Sequence, residues 1–216
     1  MESSSTARRS NDWLAPLTGV VFVVLLAVVL ILSGEGVDPN DGTDEVLEYY
    51  SDNEDEITLS AFLGGFAVIF FLFFLGWLRK VLREAEGPGG ALSAVAFAGG
   101  IVFAVGGAIG SSLQLALGES FDDIDPTAVE AVNAIAWNYF IPFAVGFATF
   151  LLASGISAVR HGSLPPWLAW AAVVLGVLGF TPLGFFTFLV GLAWVLVVSV
   201  LLAMRAREAS GPVPAA

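Results

Sequence analysis

The chain has no cysteine and only one histidine, His161, among its 216 residues. The absence of cysteine excludes disulfide bonds, thiolate catalysis and metal sites ligated by thiolates. A single imidazole excludes any site that needs two histidine ligands. A serine or threonine with no base within reach is not activated as a nucleophile. The sequence therefore contains no recognisable catalytic set, and we expect no enzymatic activity and no cofactor.

Charged residues are also scarce, at 13% of the chain, whereas 57% of the residues are hydrophobic and the mean hydropathy is +0.86. Soluble domains are about 45–50% apolar and about 25% charged. The long apolar runs carry no ionisable residue near their centres. Such residues usually mark proton relays and ion pathways, so ion-coupled transport is disfavoured. The composition predicts an all-α, polytopic membrane protein.

Basic residues are absent from residues 34–57 and 118–131, which hold fifteen of the twenty carboxylates. The basic residues instead flank the opposite ends of the apolar runs, at Arg8, Arg9, Arg79, Lys80, Arg83, Arg160, Arg205 and Arg207. Loops rich in Lys and Arg stay on the cytoplasmic side of a membrane. We therefore expect the acidic loops to face outward and both termini to lie in the cytoplasm. No basic groove is available for nucleic acid.

The apolar runs predict one transmembrane domain, residues 13–207, between a flexible N-terminus at 1–12 and a cytoplasmic tail at 208–216. Six crossings of the cytoplasmic (plasma) membrane are expected at about 13–33, 57–78, 91–117, 126–160, 165–180 and 183–204, with acidic outer loops at 34–56 and 118–125. The first run has about 20 residues, enough to cross about 30 Å of hydrocarbon. The fourth run is longer than one crossing needs, which predicts tilt or a bend at Pro142.

Two helix starts are predicted in the acidic loops. Thr43 is a suitable N-cap, and the acidic residues 44–45 suit the positive end of a short helix. Val46 and Tyr50 recur on one face of that helix, so we expect it to lie on the membrane surface. Asp125-Pro126 is typical of an N-cap followed by proline at the first helical position.

Small residues recur at helical spacing in the third to sixth crossings. In the third crossing they are Gly100, Ala104, Gly107, Ser111 and Gln114. Small residues let membrane helices approach closely, so these crossings are expected to form the tight centre. The first and second crossings are bulky on every side. We expect them, including Ala67, to face lipid.

Polar residues cluster towards the outer ends of the third and fourth crossings, at Ser111, Gln114, Asn133 and Asn138. Gln114 and Asn138 are expected at similar depths, where they can meet across the helix pair. One hypothesis is an outward-opening pocket for a small molecule or a lipid headgroup. The favoured alternative is a structural hydrogen bond between the helices, which contributes about 0.6 kcal/mol on average in membranes.

The first acidic loop places oxygen ligands at Asp38, Asn40 and Asp44, as a calcium loop would. The loop lacks the glycine and the bidentate glutamate at the positions that an EF-hand requires. We therefore expect a solvated acidic surface that sets topology and no bound metal, with these three residues as the alternative metal candidates.

Three segments resemble those of a widespread group of uncharacterised actinobacterial membrane proteins, known only as a domain of unknown function: residues 48–53, 77–83 and 162–168. The resemblance implies a six-helix fold and no particular activity. We expect a non-enzymatic interaction or accessory component of the bacterial envelope, with a carrier or binder of a small molecule or lipid as the alternative. The expected partners are membrane lipids, together with another membrane protein or a second copy of the chain.

Overall fold

The computed structural model describes residues 12–34 and 36–209, and this part of the chain is helical without any strand. A 3-10 segment, Asp12–Leu17, leads into α1, and the helices are α1 Thr18–Leu32, α2 Thr43–Asp52, α3 Glu54–Glu86, α4 Ala91–Ser120, α5 Pro126–Asn138, α6 Phe140–His161, α7 Pro166–Leu178 and α8 Gly184–Ala209. The all-α prediction is confirmed. The predicted flexible residues 1–11 and tail residues 210–216 lie outside the described ranges, while residues 208–209 belong to α8.

Five helical segments are long and apolar enough to cross a membrane: Trp13–Leu32, Glu54–Glu86, Ala91–Ser120, Pro126–His161 and Gly184–Ala209. The remaining apolar helix, α7, has 13 residues. At 1.5 Å per residue it is about 20 Å long, which is short of the roughly 30 Å of a hydrocarbon core. The predicted fifth crossing is therefore present as a helix, but it is shorter than a full span.

The long helices and α7 form a ring in the order α1, α3, α4, α6, α7, α8, and α8 closes the ring against α1 and the 3-10 segment. Aromatic side chains fill its centre. The ring of Phe71 lies 4.9 Å from that of Phe103 and 5.6 Å from that of Phe150, whose ring is 6.0 Å from that of Trp194. These separations are typical of favourable aromatic pairs.

The expectation that both of the first two crossings face lipid is wrong for α3. Ala67 is 1% exposed, and Phe71 and Phe74 are fully buried. The α1 helix fits the expectation better, since Phe22 is its only buried large side chain and its exposed large side chains are Val21, Val24, Val28, Leu30 and Ile31. Large side chains occur on every side of α3 because one face of this helix lies in the core and the other face is exposed. Its core side chains fill space left by small residues on neighbouring helices, as Leu75 does opposite Gly100.

The α4 helix has two faces formed by small residues, one of which was predicted from the sequence. Its predicted stripe faces α3, where Gly107 lies against Val68 and Ser111 against Gly64. A second stripe faces α6. A Cβ atom added at Gly99 would lie 2.6 Å from the backbone nitrogen of Phe150, and one at Gly106 would lie 2.9 Å from that of Phe143. The backbones of α4 and α6 therefore touch.

The predicted bend in the fourth crossing is a break between α5 and α6 at Tyr139. Pro142 lacks the N–H that would bond to the carbonyl of Asn138, and its ring crowds that carbonyl. The start of α5 is as predicted: the Asp125 carboxylate accepts a 2.9 Å hydrogen bond from the backbone N–H of Thr127, and Pro126 opens the helix.

The two ends of the bundle differ in charge. We call the end formed by residues 36–56 and 118–130 the acidic end, and the end formed by residues 79–90, 160–166 and 205–208 the basic end. At the basic end, Glu86 of α3 accepts hydrogen bonds from Ser93 of α4 at 3.2 Å and from Ser157 of α6 at 2.5 Å. One carboxylate therefore joins three helices.

Candidate binding pocket at the acidic end

The α2 helix packs onto α5 rather than lying alone on a surface. Its apolar side chains Val46 and Tyr50 are buried in a second core that includes Ile57, Leu117 and Val129. The predicted amphipathic helix is therefore present, but the protein itself covers its apolar face. The physical reason is that Leu117 of α4 and Val129 and Ala136 of α5 offer an apolar protein surface to α2.

Thr43 does not have its predicted role as an N-cap. Gly42, with a φ of 95°, occupies the N-cap position, and Thr43 is the first residue of α2. Its hydroxyl instead donates a 2.7 Å hydrogen bond to the carboxylate of Glu130 on α5. This bond joins the start of α2 to α5 across the acidic end.

A buried hydrogen bond connects Tyr50 with Asn133. The Tyr50 hydroxyl donates to the side-chain carbonyl oxygen of Asn133 at 2.8 Å. The amide nitrogen of Asn133 faces the backbone oxygen of Val37 at 3.4 Å. Burial raises the pKa of the Tyr50 phenol above its ordinary value of 10.0, and the neighbouring Tyr49 raises it further. Tyr50 is therefore a donor at neutral pH.

Tyr49 joins the same region to the end of α1. Its hydroxyl donates to the backbone oxygen of Ser33 at 3.3 Å, and its ring lies edge-on to that of Tyr50 at 5.3 Å between centroids. Burial raises the pKa of the Tyr49 phenol as well. Two neutral phenols thus stand side by side in this part of the structure.

These groups surround a cavity of about 200 Å³. Its lining comes from the α1–α2 connection and from α2, α3, α4 and α5: Ser33, Gly34, Gly36, Val37, Tyr49, Tyr50, Ile57, Gln114, Asn133, Ala136 and Trp137. We call it the acidic-end pocket. Its described lining combines amide, hydroxyl and phenol groups with apolar walls, and no carboxylate or basic side chain is among the described lining residues.

Gln114 is half-buried and lines the pocket from α4. It has no hydrogen-bond partner within residues 12–34 and 36–209. Its amide therefore offers both donors and an acceptor to whatever enters the cavity. Among the described lining residues, this side chain has the largest unused hydrogen-bonding capacity.

The structure brings together two of the four predicted site residues, Gln114 and Asn133. The predicted pairing of Gln114 with Asn138 is wrong, because the exposed Asn138 donates to the backbone oxygen of Ala134 in its own helix at 2.8 Å. Ser111 also lies outside the pocket, against Gly64 of α3. Asn133 and Asn138 are five residues apart, about 140° around a helix, so they point to different sides.

The contribution of Tyr49, Ser33 and the α1–α2 connection to the pocket was not predicted from the sequence, which placed Tyr50 only on a surface helix. The amphipathic pattern of α2 was the available signal. A buried tyrosine hydroxyl needs a partner, and asparagine and glutamine were the candidates on neighbouring helices.

Two of the three metal candidates, Asp38 and Asn40, form a hydrogen-bonded turn. Asp38 accepts hydrogen bonds from the backbone and side-chain nitrogens of Asn40 at 2.8 and 2.6 Å, and Asp41 accepts from the backbone N–H of Asp38 at 3.1 Å. Asp44 lies in the first turn of α2. In the part of the chain that the structure describes, no three His, Asp or Glu side chains are grouped to hold a metal ion.

Comparison with protein-family models, with curated proteins and with solved structures finds no match to this chain.

Proposed function

We propose that this protein is a non-enzymatic, multi-pass protein of the cytoplasmic membrane that binds a small, uncharged, hydrogen-bonding molecule in its acidic-end pocket. The observation that carries the proposal is the Gln114 amide, which lines a cavity beside Asn133 and Tyr50 while lacking a partner in the described residues. The Gln114 amide is only half-buried, and its polar atoms are not sealed from the cavity. A ligand that enters the cavity can therefore use its two N–H donors and its acceptor oxygen.

The charge distribution supports the orientation in this proposal. All basic residues of the described chain lie at the basic end, so the positive-inside rule places that end in the cytoplasm. In this orientation α1, α4 and α7 run outward, and α7 is the short one. The helices α3 and α8 run inward, as do α5 and α6 together. Both termini are then cytoplasmic, and the pocket is reached from outside the cell.

The size and lining of the pocket restrict the ligand. A volume of about 200 Å³ corresponds to about six or seven water molecules at about 30 Å³ each. This favours a small amide or polyol over a complete lipid headgroup. The described lining residues carry no basic side chain, and the neighbouring loops are rich in carboxylates, which disfavours anions. The accessory role within the envelope, which the sequence predicts, stays a prediction.

Saturation-transfer NMR on the purified protein in detergent tests the proposal, with acetamide, urea and glycerol as probes. We expect transfer to at least one probe, and we expect Gln114→Leu to remove it without lowering the melting temperature. Asn138→Leu is the matched control, since it removes an amide at the same end but outside the pocket. No transfer to any probe, or equal loss in both variants, would contradict the proposal.

A further inference from the structure

A second and larger cavity, of about 670 Å³, lies between α6 and the turn that joins α7 to α8. Its lining includes Phe143, Ala144 and Phe147 of α6, Phe180 of the turn and Phe188 of α8. The volume falls within the range of about 300–1,000 Å³ that is common for ligand sites. The cavity is separate from the acidic-end pocket and shares no residue with it.

The cavity exists because α7 is short. Gly179, directly after α7, packs against Ala148, since a Cβ atom added there would lie 3.4 Å from the Ala148 Cβ. The α6 helix begins at Phe140, so about 12 Å of it extends beyond the end of α7. This part of α6 has no α7 neighbour. The cavity therefore lies beside the apolar part of the bundle.

The cavity offers almost nothing for hydrogen bonding. Thr181 supplies the hydroxyl of the lining, and that hydroxyl already donates to the backbone oxygen of Leu178 at 2.7 Å. The backbone oxygen of Thr181 accepts from the N–H of Gly184 at 2.8 Å. Water gains little in such a site, because a buried water needs two to four polar partners.

The rim is open to the side of the bundle and is aromatic. Phe140 is 55% exposed, Phe180 is 61% exposed and Phe185 is 62% exposed. In a protein whose flanking helices cross a membrane, this side faces hydrocarbon. The sequence has no Lys or Arg at residues 84–159 or 161–204, so no basic side chain at this level selects an anionic headgroup.

We propose that this cavity holds one acyl chain of a membrane phospholipid, which takes the place that the missing length of α7 would fill. The chain is recognised by its apolar shape and not by its headgroup. Like the proposed function, this inference assumes that the chain lies in a membrane, but it does not depend on the acidic-end pocket.

Photocrosslinking tests the assignment. The full chain is placed in nanodiscs of phosphatidylcholine, a fraction of which carries a diazirine on the acyl chain, and adducts are mapped by mass spectrometry after irradiation. We expect adducts on residues 140–148 and 180–188 several-fold above those on the equally exposed Phe62 and Phe73 of α3. Even labelling of all exposed apolar side chains would overturn the proposal.

Ala144→Phe, which fills the cavity, is expected to remove the enriched adducts. Ala108→Phe adds the same ring to an exposed position of α4 and should leave them unchanged. If Ala144→Phe does not fold, Ala144→Leu adds fewer atoms and tests the same point. Enrichment that survives cavity filling would overturn the proposal, as would a dimer in native mass spectrometry that the same substitution dissociates.

Discussion

The hydroxyl of Tyr50 on α2 donates a 2.8 Å hydrogen bond to the side-chain oxygen of Asn133 on α5, although the two residues are 83 positions apart. Both side chains are almost fully buried, at 2% and 4% exposure. This bond attaches the short helix α2 to the bundle and forms one wall of the acidic-end pocket. It therefore connects the packing of the acidic end with its proposed binding role.

Tyr50→Phe is expected to lower the free energy of unfolding by about 1–3 kcal/mol, because it leaves the buried Asn133 oxygen without a donor. Tyr49→Phe is the control and should cost less, since its 3.3 Å bond to Ser33 is longer and the residue is only half-buried. Chemical unfolding in mixed micelles measures both. Adding Asn133→Leu to Tyr50→Phe should cost less than the sum of the two single changes. Strict additivity would show that the bond contributes nothing.

Stability should fall as the pH rises above 10.0, the ordinary pKa of the tyrosine phenol. Burial raises the pKa of Tyr50 in the folded state, so above pH 10 the unfolded chain loses the phenol proton while the folded chain keeps it. The folded state binds more protons in this window, and stability is lost as the pH increases towards the folded pKa. Melting temperatures at pH 9 to 11 should decline less steeply for Tyr50→Phe than for the unchanged protein. Parallel declines would argue against a buried Tyr50.

Gly146→Ala is expected to destabilise the bundle by about 1–3 kcal/mol through overpacking. A Cβ atom at Gly146 would collide with the backbone nitrogen of Phe103, which is part of a helix and cannot move alone. Gly65→Ala is the matched control, because a Cβ atom there meets nothing within 4 Å. It should be neutral or stabilising by up to about 1 kcal/mol, from helix propensity. Equal melting temperatures in detergent would contradict the close approach of α4 and α6.

Cysteine labelling tests the proposed orientation, and the absence of native cysteine leaves no background. Asp41→Cys and Asp122→Cys, both at exposed positions of the acidic end, should react with a membrane-impermeant maleimide on intact cells. Glu84→Cys, at an exposed position of the basic end, should react only after lysis. If Glu84→Cys alone reacted on intact cells, the orientation would be the opposite of the one proposed.

The sequence alone determined the class of structure and the positions of most helix ends. Apolar runs separated by charged loops predict long helices, since the backbone of each run must satisfy its own hydrogen bonds. Asp125-Pro126 predicted the start of α5, and Pro142 predicted the interruption that the structure places at Tyr139. These features depend on local chemistry, which the order of the residues contains.

Only the tertiary structure decided which faces meet. Periodicity predicted the small stripe of α4 that contains Gly100, but not the second stripe that contains Gly99, which points about 100° away. Nothing local shows that one accepts Leu75 of α3 while the other touches the backbone of α6. For the same reason, local sequence does not show that Gln114 faces a cavity and not the side chain of Asn138. It also does not show that Asn133 accepts a hydrogen bond from Tyr50. The rotation of each helix depends on the packing of all its neighbours at once, and no single segment contains that information.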